Sequence, residues 1–567
     1  MLPEGDPEPA ERMAKAMAIH PLAARVLLQR GYVTESAINE FLQDSLGELP
    51  DPFRMKGMPG AVDRLVRALE TQEPITLYGD YDVDGVCSTA LLSLFLEELG
   101  AAVTTYIPHR VGEGYGLNFA AVERFAKDGT RVLVTLDCGI TAFAEVTKAR
   151  ELGLDVVIVD HHTVPDTLPP ATAILNPMQL GCGYPTRHLC AAGVAFNFCM
   201  GIRKRLRDAG YFTARPEPVL KRLLDLVALA TVADVVPLTG ANRILVKHGL
   251  HELTRAERPG VRALKEVAGL SETEEVTAGH VGFRLGPRIN AAGRLHDASV
   301  GLRLLRCKTL EEARPLAQEL ESANAERQSV EQVILAQAMA QAETLKSSRG
   351  FVLYSDEWHP GVIGIVASRV VERYHRPTVM VGVRDGVGKG SGRSIEGFHL
   401  VEALALCEPH LTKFGGHKHA AGLTIESAKL PAFRAAFAQL ALDRLTPEDL
   451  IRRCRVDAVV TLGDLTEGTV EGLKRLAPFG QGNPEPVFMV RRQVTRPRIL
   501  PKKTGSGVGH MKLSLESAPS VDAMGFNMAD RVALTEGPLD LAFNLGVDTF
   551  RGERRVSIKL KDLRASV

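Results

Sequence analysis

Between Pro74 and Val164, short apolar runs alternate with stretches whose apolar positions recur at helical spacing. The runs at 75–78, 103–107, 132–136 and 156–159 predict strands, and the patterns at 86–99, 119–127 and 142–152 predict the helices between them. This β-α-β rhythm, with few long loops, predicts a doubly wound α/β core around a parallel sheet. Ligands of such sheets sit beyond the carboxyl ends of the strands, where the strand order switches direction.

Further along, 219–232 is an apolar helical run, and 282–294 is rich in Gly, Arg and Asn and predicts a loop closing the first lobe. The Ala/Glu/Gln-rich stretch 310–346 suits a long connecting helix, with Pro315 tolerable near its first turn. A second α/β unit follows over about 350–445, with strands at 351–354 and 378–383, helices at 364–374 and 430–443, and Gly-rich loops. After Arg452 short alternating runs at 487–490, 511–515, 541–545 and 556–560 predict a small β-barrel. A chain of 567 residues exceeds what one hydrophobic core organises. The expected divisions are an N-terminal helical segment (1–50), a catalytic α/β domain (51–309), the connecting helix (310–348), a substrate-binding α/β domain (349–450) and the barrel (451–567).

Composition adds limits rather than identity. With 45% hydrophobic and 24% charged residues the chain is of ordinary globular type, and no uninterrupted apolar stretch offers a membrane span. Nothing in residues 1–30 resembles a secretion signal, so a cytoplasmic location is expected. The eight cysteines contain no CxxC pair, which argues against a zinc knuckle and against a disulfide framework. Net charge is zero, yet residues 451–567 carry +6 and the remainder −6. An acidic body with a basic appendage fits metal chemistry in the first and phosphate contact in the second.

The acidic residues are not scattered at random. Asp80, Asp82 and Asp84 occupy alternate positions directly after the first strand, where an extended backbone would aim all three to one side. Such crowding is relieved by protonation or by a cation, and hard divalent ions prefer oxygen ligands. The spacing also matches a calcium loop, but that motif's twelfth position, here Leu91, lacks the required Glu. Asp137 follows the third strand, and Asp160-His161-His162 follows the fourth. Of two adjacent imidazoles, one can ligate metal while the other contacts phosphate or donates a proton. Asp225, on an apolar helix, needs a partner that a metal could supply, and it ranks above Asp234, which could equally make a helix-end contact.

Asp80-Tyr81-Asp82-Val83-Asp84-Gly85, Asp137, Asp160-His161-His162 and Asp225 resemble, in order, the four motifs of the DHH phosphoesterases. The resemblance implies two Mn²⁺ or Mg²⁺ ions, with Asp82 and Asp137 at one, Asp84, Asp137, His161 and Asp225 at the other, and Asp80 assisting the first. It also implies that His162 faces the scissile phosphate and that Asp160 orients the imidazoles.

Phe414-Gly415-Gly416-His417 is similar to the substrate motif of the DHH-associated domain, DHHA1, and implies phosphate contact by Gly415, Gly416 and His417. Ser391 and Arg393, with Arg110, Arg288 and Arg294, resemble motifs of the RecJ-type branch of the family, where Ser391 and Arg393 would hold a strand's terminal phosphate; salt bridging is the plain alternative for Arg110, Arg288 and Arg294. The likeness continues through Pro478–Pro486 into the barrel, which would be an OB-fold with Arg491, Arg492, Arg496, Arg498, Lys502 and Lys503 toward nucleic acid. Phe488 and Phe526 could stack on bases there but equally suit the core.

What this implies is a 5′-to-3′ exonuclease on single-stranded DNA, with a single-stranded-DNA-binding protein and a RecQ-type helicase as partners in repair and recombination. Rival readings are a phosphodiesterase for short oligoribonucleotides or cyclic dinucleotides, which would share the metal site, and a silent single-strand-binding scaffold.

Overall fold

The computed structural model describes residues 8–110, 112–501, 508–550 and 553–566. The first lobe is built on five parallel strands, β1 (Ile75–Gly79), β2 (Val103–Tyr106), β3 (Val132–Leu136), β4 (Asp155–Val159) and β5 (Ala173–Leu175), in the order β2-β1-β3-β4-β5. β1 and β3 are buried along their whole length because helices cover both faces of the sheet, which is why these runs are continuously apolar. The direction of winding reverses between β1 and β3, so the switch point lies where Asp80 and Asp137 emerge.

The run at 219–232 divides into a 3-10 turn, Leu220–Leu223, and the helix Leu224–Ala233. The stretch 282–294 is not a loop. It is a π-helical turn, Val281–Leu285, continuing into the helix Gly286–Leu295. Its glycines allow close helix packing: a Cβ on Gly293 would lie 2.4 Å from the Tyr81 carbonyl oxygen.

The connecting helix runs from Leu310 to Thr344 with Pro315 inside it. Beyond it stand β6 (Phe351–Ser355), β7 (Thr378–Arg384), β8 (Val387–Arg393), β9 (Lys413–Gly416) and β10 (Ala420–Glu426), in the order β6-β7-β8-β10-β9. Three of these strands fall where sequence composition suggests Gly-rich loops. On β8 every second residue is glycine, and Val381, Leu400, Leu423 and Ile425 pack where Cβ atoms on Gly388, Gly390 and Gly392 would be.

The last unit is a seven-stranded mixed sheet of β11 (Ala458–Val459), β12 (Phe488–Gln493), β13 (Thr495–Leu500), β14 (His510–Leu515), β15 (Ala518–Gly525), β16 (Leu539–Phe550) and β17 (Glu553–Ala565). Its core is shared with the helices Glu8–Met17, Pro21–Gln29 and Glu35–Leu42, so the N-terminal segment belongs structurally to the C-terminal unit. Arg30 pairs with Asp457 at 3.0 Å, and buried Arg243 donates to the carbonyls of Gln43, Arg475 and Ala477, tying both to the first lobe.

Candidate metal centre

The register of the parallel sheet sets Gly79, Leu136, Val159 and Leu175 side by side, so the residues after them form one row at its C-terminal edge. The backbone ladder continues through that row: Asp80 N–H donates to Leu136 (3.1 Å), Asp137 to Val159 (3.0 Å) and Asp160 to Leu175 (3.0 Å). The carboxylates therefore stand on backbone that the sheet ladder holds. Asp137 has φ of 65°, a left-handed conformation that Asp tolerates better than most side chains.

Asp82 and Asp84 arrive differently from the expectation of an extended triplet. The chain turns into the helix Val83–Glu98 at once, with Asp82 as its N-cap accepting from Asp84 N–H (2.9 Å) and Gly85 N–H (3.2 Å). That first turn lies against the Asp80 backbone, since a Cβ on Gly85 would come within 2.4 Å of the Asp80 carbonyl oxygen. Asp84 reaches the opposite way and accepts from Ala191 and Ala192 N–H (2.6 and 2.8 Å) at the start of the helix Ala191–Asp208.

The two histidines divide. His161 Nε2 lies 3.1 Å from Asp137 and 3.6 Å from both Asp84 and Asp234. Burial, then the neighbouring His162, push it down to about 4, leaving the neutral imidazole that metal ligation needs. His162 Nδ1 bonds Asp160 at 2.7 Å. Burial works against its proton, but the Asp160 hydrogen bond and charge outweigh it and push His162 up to about 9. Asp160 is wholly buried and wholly used, accepting also from the His161, His162 and Ile140 amides. Burial would raise it, yet the bonds from His162 hold it below the usual carboxylate range. Asn176, in the same row, donates to the His162 carbonyl at 2.9 Å.

Three overlapping donor groups result: Asp80, Asp82 and Asp137; Asp84, His161 and Asp234; and Asp137, His161 and His162, the donor atoms of each within 4.8 Å of one another. Asp137 stands between the first two. Buried Asp80 Oδ1 has no hydrogen-bond partner, which is an orphaned acceptor aimed at no protein donor. Burial first, and then the neighbouring carboxylates, raise Asp84 to about 7 and Asp234 to about 9, with Asp80 and Asp137 also raised. A set of hard oxygen donors and one neutral imidazole, crowded enough to retain protons, fits divalent cations.

The ranking of Asp225 above Asp234 is corrected. Asp225 accepts two bonds from Arg258, Nε at 2.7 Å and Nη2 at 3.1 Å, and is absent from these groups. The partner its buried carboxylate required is a guanidinium. Asp234, at the C-terminal end of the helix Leu224–Ala233, faces His161 instead.

Tyr115 is not among the residues to which sequence reasoning points. Its hydroxyl stands 3.3 Å from the Asp137 carbonyl and from His162 Nε2, and its ring meets Tyr81 edge-on. An aromatic between two left-handed glycines, Gly114 and Gly116, is the available signal.

Around the cluster, Arg110 lies over the Tyr81 ring at 4.7 Å. Asn290 accepts from Val83 N–H at 3.1 Å, and Arg294 Nη1 donates to Gly361 at 3.0 Å, joining the acidic loop to the second lobe. Burial and the nearby Arg110 lower Arg294 to about 10. Arg288 is placed elsewhere: it pairs with Glu321 on the connecting helix at 2.5 Å and donates to the Arg284 carbonyl.

In the second lobe Arg393 ends β8, bonded to the Gly392 carbonyl (2.8 Å) and Ser391 Oγ (3.2 Å), and no salt bridge satisfies it among the described residues. Gly415 and Gly416 end β9 and His417 begins the exposed β9–β10 turn beside it, since Arg393 pairs with Ala420. On the C-terminal unit Arg491, Arg492 and Arg498 are exposed, Arg496 pairs with Glu516, and Lys502 and Lys503 lie outside the described residues. Phe488 is core, whereas Phe526 is half exposed.

Residues 74–231 match the model of the DHH family N-terminal domain, 347–443 that of the DHHA1 domain and 456–562 that of the RecJ OB domain. The chain is 40% identical over 564 residues to the single-stranded-DNA-specific exonuclease RecJ of Dickeya dadantii, covering 96% of each. Its fold is similar to the crystal structure of Thermus thermophilus RecJ in complex with Mn²⁺, with a TM-score of 0.84 and 33% identity, across 99% of this chain and 78% of that one. The Mg²⁺ complex of that protein gives a TM-score of 0.78 and 32% identity, across 99% and 77%.

Proposed function

The chain belongs to the RecJ group of the DHH family, and from that premise we propose that it degrades single-stranded DNA from the 5′ end, releasing nucleoside 5′-monophosphates. The observation that carries this is the convergence of Asp80, Asp82, Asp84, Asp137, His161 and Asp234 at one sheet edge, beside a lobe in which half-buried Arg393 has no salt-bridge partner among the described residues.

Asp80, Asp82 and Asp137 would hold one divalent ion, Mn²⁺ or Mg²⁺, and Asp84, His161 and Asp234 a second, with Asp137 shared. Bound there, the ions supply an activated water and neutralise phosphate charge. The protein's own groups do the rest. His162, kept protonated by Asp160, donates to an oxygen of the scissile phosphate. Arg393 and Ser391 grip the terminal phosphate, and the Gly415–Gly416 backbone with His417 steadies the next stretch of strand. The OB-type barrel of 451–567 extends the binding surface beyond the two lobes that 51–309 and 349–450 form.

Incubation with Mn²⁺ and strands of graded length tests the reading: long single strands are shortened from the 5′ end and duplexes spared. Cleavage confined to dinucleotides or cyclic dinucleotides would replace it with the short-substrate reading. No helix of the described residues is long and apolar enough to cross a membrane. A cytoplasmic setting and cooperation with a single-stranded-DNA-binding protein and a RecQ-type helicase are part of this proposal, since unwinding would expose the strands the enzyme consumes.

Two results are expected directly. Arg393→Ala lowers the ratio of kcat/KM for 5′-phosphorylated over 5′-hydroxyl strands by about tenfold or more, the loss of a charge-assisted pair; an unchanged ratio removes Arg393 from that role. Mn²⁺ added to metal-free protein raises Tm, and more at pH 8 than at pH 6. The sign follows from carboxylates whose folded values lie above their unfolded ones. Without metal, the stability they give at low pH is lost as pH rises through about 7 and 9, and deprotonation frees the same oxygens for the ion. A Tm indifferent to Mn²⁺ at both pH values counts against the site.

A further inference from the structure

Phe283 is 83% exposed, more than any other phenylalanine among the described residues. It sits on the π-helical turn Val281–Leu285, a geometry that recurs at functional sites because it displaces one side chain from the regular helical face. A solitary apolar residue on a convex surface needs no explanation. Phe283, however, lines a cavity of about 380 Å³ between the first lobe, the connecting helix and the helix Ile363–Tyr374 of the second lobe.

The walls of that cavity are polar. Asn290 and Arg294 reach it from the side of the metal centre, where Asn290 also holds the Val83 amide. Gln328 and Gln332 stand one turn apart on the connecting helix, exposed and with no side-chain hydrogen bond among the described residues. Arg369 reaches it from the second lobe, 3.6 Å from Glu331 of the connecting helix, which lines the cavity together with its partner Arg327. One aromatic face and two exposed amides that can each donate and accept, beside arginines that the protein already pairs, make a combination suited to the edge and face of a planar heterocycle.

We propose that this cavity is a nucleobase subsite, in which one base of the bound strand stacks on Phe283 while Gln328 and Gln332 meet its polar edge. The inference rests on the single-strand exonuclease reading and adds a specific position on the strand. A base can occupy the cavity only when unpaired, so the subsite also contributes to rejecting duplex. Both amides can switch between donor and acceptor, so all four bases are accepted.

The test uses the full-length protein with Mn²⁺ and a phosphorothioate-linked strand that resists cleavage. Abasic sites are placed one at a time along the strand from the 5′ end. With unmodified protein one position weakens binding by about tenfold, the loss of a single stacked base. With Phe283→Ala that position dependence disappears, KM for an ordinary strand rises about tenfold, and kcat changes little. Phe283→Trp restores both and adds emission that the strand quenches, readable because Trp358 is fully buried. Position dependence unaltered in Phe283→Ala, or added emission in Phe283→Trp that is indifferent to the strand, overturns the subsite. Absence of cleavage by the unmodified protein would instead overturn the exonuclease reading, so the two failures are distinguishable.

Discussion

Asp137→Asn is expected to lower kcat for Mn²⁺-dependent degradation by roughly a thousandfold or more, equivalent to several kcal/mol of transition-state stabilisation. Asp137 belongs to two of the three donor groups and lies 3.1 Å from His161, which links it to Asp84 and Asp234, so no other single carboxylate in the cluster is as costly to neutralise. Asn is the informative replacement because it keeps the shape and tolerates the left-handed backbone at φ 65°, where Ala would add strain. In metal-free protein the same change replaces a carboxyl whose ionisation burial and the neighbouring carboxylates oppose, so its Tm should be equal to or above that of the unmodified chain. Activity and stability therefore move in opposite directions. Turnover within about tenfold of the unmodified enzyme would remove Asp137 from the centre of the mechanism.

The second large effect separates two aspartates nine residues apart in sequence. Asp234→Asn should lower kcat by roughly a hundredfold and leave the fold as stable as before, because its carboxylate already stands among like charges. Asp225→Asn should do the reverse. It strands the Arg258 guanidinium, which is only 13% exposed, and breaking a buried pair in this way costs about 3–5 kcal/mol. The fraction that remains folded should turn over at close to the normal rate. Chemical denaturation and initial rates on both variants decide the matter, and an inactive but fully stable Asp225→Asn protein would return that residue to the metal centre.

Much of the centre is legible in the sequence because strand ends are legible. An apolar run followed at once by Asp fixes the place of that Asp at the sheet edge, and Asp80, Asp137 and Asp160 obey it. The misassignment of Asp225 has a different origin. Periodicity signals that a buried carboxylate needs a partner but does not identify that partner, and Arg258 lies 33 residues away. Residues 282–294 and β8 read as loops since glycine and proline weaken regular structure on average. In both places glycine is required by a neighbour's bulk, the Tyr81 carbonyl in one case and the Val381 and Leu423 side chains in the other. Such a requirement exists only between segments distant along the chain, so local pattern does not carry it. The N-terminal helices read as a separate segment for the same reason, their apolar faces revealing nothing about which core they join.

That shared core has a consequence for biosynthesis. Ile38 and Phe41 are buried among residues that begin with Ala458, more than four hundred positions later. At about 5–20 residues per second, the first helices emerge from the ribosome roughly twenty to eighty seconds before their packing surface has been made. During that interval they expose apolar faces next to an already folded first lobe, so a nascent-chain chaperone should engage this segment early and release it only when translation has passed the final strands.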